Sequence, residues 1–300
     1  MAAEKIETVL VGTDLDRDSE PLVGTALALA RAAGARIHVA YSFNPPVGFL
    51  SEFGAGFDPA ILAEEEQRCR EALAAQVAHL GIGAAELHGQ SVRTGAPHRV
   101  LPELAEEIGA DLVVLGATAG GRLHRRLGST ADRVLRRASC AVLVVRGELR
   151  VPPRKVLAPV DLSPLAADSF RTGLGLLAQI GGGAASEVPE VEALFVLNVI
   201  QRQVAPQFTP EQVDRFAADE LRRFVEANAG DRAAEIQRKV RAGTTREEIL
   251  AEIAAFRPDL VLLGTHGTGG FDRLVLGSVA ADVSRDAPCS VLVVPPGLQE

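Results

Sequence analysis

The chain has no tryptophan, one tyrosine and one methionine, and aromatic residues make up only 4% of it. Its core must therefore be built mainly from Leu, Val and Ala, as in helix-covered sheets. The three cysteines, Cys69, Cys140 and Cys289, are odd in number and widely spaced, which excludes a disulfide framework and a metal-ligand cluster. Cys140 and Cys289 stand at matching places and read as small buried residues. The six histidines, His38, His79, His88, His98, His124 and His266, show no paired ligand spacing, so metal catalysis finds no support. No apolar run exceeds strand length and the N-terminus, MAAEKIET, has no apolar signal region. The expectation is a soluble cytoplasmic protein with no membrane partner. A net charge of −8 argues against nucleic acid as a partner, because non-specific affinity comes largely from neutralising backbone phosphates. The Walker pattern, which needs a Lys before its Ser/Thr, is missing, as is a GxGxxG fingerprint opening the first βαβ unit.

What the chain does have is an internal repeat. VRTGAPHRVLPELAEEIGADLVVLG, ending at Gly116, aligns with VRAGTTREEILAEIAAFRPDLVLLG, ending at Gly264, at an offset of 148. SCAVLVV (139–145) aligns with PCSVLVV (288–294) at 149, and VLVGTDLD (9–16) with VLAPVDLS (156–163) at 147. So long a period means two copies of a domain rather than a solenoid, which 300 residues readily accommodate. The boundaries are drawn at 1–147 and 153–300, with a proline-bearing linker over Gly147–Arg154.

Strand and helix patterns alternate within each half. Strands are expected over Thr8–Thr13, Arg36–Phe43, Leu87–Arg93, Asp111–Leu115 and Ala141–Val145, then over Lys155–Val160, Glu192–Val199, Ile236–Ala242, Leu260–Leu263 and Ser290–Val294. Helices are expected over Pro21–Ala33, Pro97–Ile108 and Thr130–Arg137, with another opened by Asp58 and Pro59. In the second half Ser163-Pro164 opens a helix that glycines 181–183 end. Thr209 with Gln212 and Thr244 with Glu247 read as capping boxes. Alternating βα units give an α/β fold: two tandem doubly wound domains, each a five-stranded parallel sheet with helices on both faces.

The stretch DLVLLGTHGTGGFDRLVLGS (259–278) carries the chemistry. A buried strand meets Gly264 and Gly267, and Gly277-Ser278 then opens a helix. Glycines allow close backbone approach. Free amides and the positive dipole end of the helix favour an anion, and the Ser278 hydroxyl adds a donor. Ordinary αβ loop chemistry would also place glycines there. A doubly wound sheet binds ligands beyond the carboxyl ends of its strands, where Asp161 would join the glycine loop if the first and fourth strands are neighbours. Asp161 reads either as a cap or Asx-turn, or as an acceptor for an amine or hydroxyl of a ligand. Ser163, as the better-placed cap, would leave Asp161 free.

Gly264-x-x-Gly267, nine residues, Gly277-Ser278, together with a first strand ending Pro159-Val160-Asp161, resembles the universal stress protein family, as a tandem two-domain member covering essentially the whole chain. The resemblance implies a Rossmann-like, adenine nucleotide alpha hydrolase-like fold. It further implies that the fifth strands pair edge to edge, making the chain an intramolecular pseudo-dimer with further homodimerisation open to it. In the nucleotide-binding branch it implies ATP, with or without Mg. Carried over, Pro159, Val160, Asp161 and Val199 would line the adenine pocket. Leu263 and Gly264 would flank the ribose, and Gly267, Gly277, Ser278 and Val279 would meet phosphate. His266 and Thr268 would lie inside the loop.

The first half departs from this pattern. Ala119 stands at the second glycine, Gly128 arrives one residue early, and Gly12 and Ser42 replace the proline and the valine, although Asp14, Gly116, Gly128, Ser129 and Thr130 remain. A weaker or empty site is expected there. Arg122, Arg125, Arg126, Arg133, Arg136 and Arg137 could form a second polyanion site, a partner surface or a solvated face. The expected function is a stress-response module that senses ATP, mainly in the second half, and acts through a regulatory protein partner. The alternatives are a slow ATPase or phosphotransferase, with Asp161 and Asp272 on a phosphate-bridged Mg, and a nucleotide-free scaffold.

Overall fold

The computed structural model describes residues 5–44, 59–117, 127–181, 189–198, 208–265 and 276–296. The first half contributes β1 (Thr8–Thr13), α1 (Glu20–Ala33), β2 (Arg36–Phe43), α2 (Pro59–His79), β3 (Leu87–Thr94), α3 (Pro97–Ile108), β4 (Leu112–Gly116), α4 (Ser129–Leu135) and β5 (Ala141–Val145). The second contributes β6 (Lys155–Val160), α5 (Pro164–Ile180), β7 (Glu190–Asn198), α6 (Pro210–Asn228), β8 (Gln237–Gly243), α7 (Thr245–Phe256), β9 (Leu260–Gly264), α8 (Ser278–Asp286) and β10 (Ser290–Val294).

All the strands lie in one ten-stranded sheet, ordered β3-β2-β1-β4-β5-β10-β9-β6-β7-β8. Within each half every pairing is parallel. The two halves meet where β5 and β10 pair antiparallel, Val144 opposite Val291 and Val142 opposite Val293. This is the edge-to-edge pairing that the family resemblance implies.

Side-chain alternation along the strands feeds two cores, one on each face. Val9, Val11, Leu143 and Leu292 pack with α1, α2, α5 and α6. Leu10, Val142, Val291 and Leu263 pack with α3, α4, α7 and α8. Both cores run unbroken across the seam, and α1 packs on α5 over it. The main-chain N–H of Ile6 crosses to the Gln179 side-chain oxygen at 2.6 Å.

The repeat shows at atomic level as well. Asp111 accepts the amides of Glu7 and Thr8 at 2.8 and 2.9 Å, while Asp259 accepts those of Arg154 and Lys155 at 2.7 and 3.0 Å. Each aspartate, standing before its fourth strand, thus clips the start of the first strand beside it.

Several expected boundaries move. β7 begins at Glu190 and ends at Asn198, and α4 stops at Leu135 because the amides of Arg136, Arg137 and Ala138 all turn back to the Val134 carbonyl. The capping box of Thr209 and Gln212 is present. Thr244 occupies its cap position, but its hydroxyl makes no cap bond. Asp58 lies outside the described residues.

Two equivalent strand positions bury titratable groups beneath the α3/α7 face. The sequence shows no paired histidines, yet His38 Nδ1 lies 3.3 Å from His88 Nδ1 and its Nε2 lies 2.9 Å from the Ser91 hydroxyl. At the matching place Glu192 is buried with one carboxylate oxygen unpartnered. Beside it, Glu252 accepts from Lys239 at 2.8 Å and from Arg241 at 3.0 Å. Burial, with His88 and Arg93 adding to it, pushes His38 down from 6.5 to about 4. Burial and the Glu252 charge push the Glu192 carboxyl up.

Two predictions follow from this packing. A Cβ on Gly173 of α5 would lie 2.4 Å from Leu262 Cδ1, whereas one on Gly24 of α1 meets nothing within 4 Å. Gly173→Ala is therefore expected to cost about 1–3 kcal/mol, and Gly24→Ala to be neutral or stabilising by about 0.4–1 kcal/mol. Equal urea midpoints for the two would refute the close packing. For pH, a depressed histidine contributes stability that is full above its unfolded value of 6.5 and drains away down to about 4, worth roughly 3 kcal/mol. A raised glutamate works in the opposite sense, its contribution lost as pH climbs above 4.5. Between pH 4.5 and 6.5 the rise of stability with pH should flatten in His38→Gln and steepen in Glu192→Gln, as read from urea midpoints. A shift of both slopes in the same direction would refute the assignment.

Candidate functional site

In the second half the strand order reverses between β6 and β9. β7 and β8 extend one way, β10 the other. The two strands are registered at Val156–Leu260 and Leu157–Val261 and carry no pairing beyond, although β6 runs on to Val160 and β9 to Gly264. The pairing thus stops short of both strand tips at the switch point, the place where doubly wound sheets receive ligands.

One wall is the end of β6. Pro159, Val160 and Asp161 are all half-buried, so the strand ends in two partly covered apolar residues followed by a carboxylate. Ser163 caps α5 by accepting the Ala166 amide at 3.1 Å. That cap does not leave Asp161 free, as the sequence had suggested: Asp161 Oδ1 accepts the Ser163 amide at 3.1 Å, closing an Asx-turn. The turn fixes the orientation of the carboxylate at the strand end.

Between them Leu162 is held at φ 64°, and its counterpart Leu15 at φ 60°. A non-glycine residue in this region costs about 1–2 kcal/mol. Both leucines pack against the core, which holds the strained turn behind each aspartate. Nothing in a leucine advertises positive φ, so no residue type in the chain signals this turn.

The other wall is the end of β9 and the start of α8. The Thr265 amide donates to the Val294 carbonyl at 3.2 Å, and the Gly277 amide to the Thr265 carbonyl at 2.7 Å. A Cβ on Gly277 would lie 3.1 Å from that carbonyl oxygen, so glycine is what lets the chain close here. Gly277 caps α8 in an extended conformation with no side-chain cap bond. Ser278 is exposed and Val279 half-buried. The first amides of a nine-residue helix thus have no side-chain cap, and Ser278 beside them brings a hydroxyl donor, an arrangement that suits an anion. The Leu263 side chain is buried at 3% in the core, and its backbone lies in β9 beside Val293 of β10. Gly264 is half-buried at the strand tip. Val199, His266, Gly267, Thr268 and Asp272 lie outside the described residues.

The first half has the same frame with different contents. The Ala117 amide donates to the Val145 carbonyl at 2.9 Å and the Gly128 amide to the Ala117 carbonyl at 2.6 Å, so the shorter loop closes through the same two bonds. Gly116, Gly128 and Thr130 are half-buried and Ser129 exposed, but α4 is only seven residues long. At the place of Val160 stands Thr13, whose hydroxyl donates to the Gln76 side-chain oxygen at 2.9 Å and meets the Ser19 hydroxyl at 2.9 Å. Asp14 is exposed by area, yet enough protein surrounds its carboxyl for desolvation, then Asp16, to raise it.

Register corrects one equivalence. Thr13 pairs with Tyr41 and Val160 with Phe195, so Ser42 matches Val196, not Val199. The Ser42 hydroxyl donates to the Gly95 carbonyl at 2.6 Å. Of the arginine cluster, Arg122, Arg125 and Arg126 lie outside the described residues. Arg136 pairs with Asp132 at 3.2 Å, Arg133 lies 3.4 Å from His98, and Arg137 is exposed.

Comparison with known proteins bears on the family and the fold. The Universal stress protein family model matches twice, over residues 5–146 and 153–295. A universal stress protein of Mycolicibacterium smegmatis is 26% identical over 307 aligned residues, covering 96% of this chain and 97% of its own. One from Methanocaldococcus jannaschii is 30% identical over 141 residues, covering 46% of this chain and 81% of its own. Among solved structures, a universal stress protein from Archaeoglobus fulgidus superposes with a TM-score of 0.66 at 20% identity, covering 99% of this chain and 98% of that one. A universal stress protein solved in complex with cAMP is 32% identical and covers 47% of this chain and 97% of that one, at a TM-score of 0.31. The chain belongs to the universal stress protein family, with two copies of the family's domain in tandem.

Proposed function

We propose that the chain is a nucleotide-binding regulatory module of the stress response that holds ATP mainly in its second domain, residues 153–300. In this reading the first domain, residues 1–147, is a degenerate copy. The observation that carries it is the start of α8. Its amides have no side-chain cap, and they are reached past a glycine that a Cβ would push against the Thr265 carbonyl at 3.1 Å. That is a cradle for phosphate built from backbone. Asp161, held by its own turn beside half-buried Pro159 and Val160, supplies what an adenine needs, an apolar wall with an acceptor for the exocyclic amine. Val199 would complete that wall. Gly267, Gly277, Ser278 and Val279 would hold phosphates, Leu263 and Gly264 would flank the ribose, and His266 would lie within the loop.

In the first domain Asp14, Gly116, Gly128, Ser129 and Thr130 keep the outline. The shorter α4 and the polar Thr13–Gln76–Ser19 network favour a weaker site or none. A Mg ion, if it accompanies the nucleotide, would ride on the phosphates. Binding rather than turnover is the preferred role, because no Lys follows the glycines of 264–278 and the sequence offers no evident pair of carboxylates as a metal and base set. Among the described residues no helix is long and apolar enough to cross a membrane, which accords with action in the cytoplasm, whether as a monomer, as a homodimer or on a regulatory protein partner.

Denaturing the purified protein should release adenine nucleotide, and calorimetry with ATP should find close to one site per chain. Gly277→Val should weaken binding about tenfold or more, since tenfold corresponds to ~1.4 kcal/mol and a branched Cβ must displace the loop closure. No nucleotide released and no heat on titration with ATP would overturn the proposal. Two equal sites would overturn the asymmetry.

A further inference from the structure

α8 begins at the candidate cradle and ends against the other domain. The residue that follows β5, Arg146, donates from Nη2 to the carbonyls of Ser284 and Arg285, at 2.8 and 3.0 Å, in the last turn of α8. Its own amide donates to the Ser290 hydroxyl at 3.1 Å. Its Nε is buried with no partner among the described residues, and the guanidinium lies within 4 Å of no carboxylate there. Desolvating a guanidinium is costly unless acceptors replace its water. Here the replacements are helix-end carbonyls, which have no partner inside the helix and carry the negative end of its dipole.

From the second domain's own side, Arg246 pairs with Asp286 at 2.6 Å, and Arg285 reaches Asp132 of α4 at 4.0 Å. At ~1.5 Å per residue α8 is only about 13 Å long, so fixing its C-terminal end fixes the direction of its N-terminal amides. The matching position in the second copy is Pro295, which has no side-chain donor, and α4 is the shorter helix. The grip is one-sided.

We propose that Arg146 is a positioning residue for the anion cradle at Gly277–Ser278, so that the first domain completes the second domain's binding site without touching the ligand. This rests on the proposed nucleotide reading of that cradle. Removing the fork frees the last turn of α8. The helix then tilts or frays at that end, and its first amides no longer converge on one anion. A cation at the helix C-terminus and an anion at the N-terminus are favoured by the same dipole, so each reinforces the other.

The test uses the full chain and ATP. Arg146→Met keeps the apolar stem and loses the fork, and is expected to weaken ATP binding by roughly five- to thirtyfold, the scale of a partly buried helix-end charge. Arg146→Lys keeps the charge and one donor at a time, and should recover part of the loss. It also carries the test if Arg146→Met fails to fold. Leu73→Ala, in a fully buried position of α2, supplies the control: it should lower the melting temperature and leave ATP affinity at the wild-type value. Wild-type affinity in Arg146→Met, or in a Lys variant standing alone, overturns the positioning role and leaves the nucleotide reading intact. So does a loss in Leu73→Ala that matches the loss in Arg146→Met. A wild-type protein that binds no ATP overturns the nucleotide reading and the positioning role with it.

Discussion

β5 and β10 are each five residues long and buried at every position. A strand that apolar can lie inside a sheet but not at its rim, where unpaired backbone groups and an uncovered face would invite association. Each copy of the domain ends its parallel sheet on such a strand, and the antiparallel pairing of the two removes both rims at once. The consequences spread outward from there. The hydrophobic layers on both faces become continuous, α1 is brought onto α5, and the rims of the whole sheet fall on β3 and β8. Those outer strands are the ones able to be rims. β8 carries Arg238, Lys239 and Arg241, and β3 carries His88 and Arg93 among few apolar residues.

The pairing also decides where the candidate sites sit. In each copy the glycine loop follows the fourth strand, and its closing bond is made with the end of the fifth: Thr265 with Val294, Ala117 with Val145. The loop that would hold phosphate is therefore pinned to the strand that makes the seam. What lies just past the end of β5 is within reach of the other copy's helix, which is how Arg146 comes to bond α8. Any ligand-driven shift in one cradle would act on backbone that the other domain also holds.

The sequence made the sheet legible because its signals are local and repeated. Short apolar runs flanked by turn residues located all ten strands, five of them to the residue, and the repeat fixed which runs correspond. What it could not show depends on pairing across the fold. Ser42 and Val199 both stand near the end of a second strand in the sequence, but the register Thr13–Tyr41 and Val160–Phe195 puts the match to Ser42 three residues away from Val199. His38 and His88 are fifty residues apart in sequence and in contact only because β2 and β3 are neighbours. Thr209 and Thr244 open helices with equally good capping sequences, yet only the first closes the box. Asp161 was read as free because Ser163 caps the helix, whereas one turn uses both. Leu162 at φ 64° has no counterpart in any propensity scale, since the strain is held by packing elsewhere.

The two copies show which parts of the architecture tolerate change. Sheet order, the clips made by Asp111 and Asp259, and the left-handed leucine after the aspartate are common to both. The differences lie at the carboxyl ends of the strands: Thr13 for Val160, a seven-residue helix for a nine-residue one, a loop one residue shorter, and Arg146 opposed by Pro295. All of these lie at strand ends, helix ends or loops rather than in the middle of the sheet, so each could drift without loss of the fold. Their direction is consistent. In the first copy the strand end is polar and self-satisfied, with Thr13 bonded to Gln76 and Ser19, and the residue that matches Arg146 across the seam is Pro295. In the second copy the strand end stays apolar and open, and the far end of the cradle helix is held by a side chain from the first. A fused pair lets its two strand ends differ in this way, whereas in a symmetric dimer of identical chains every change falls on both copies together.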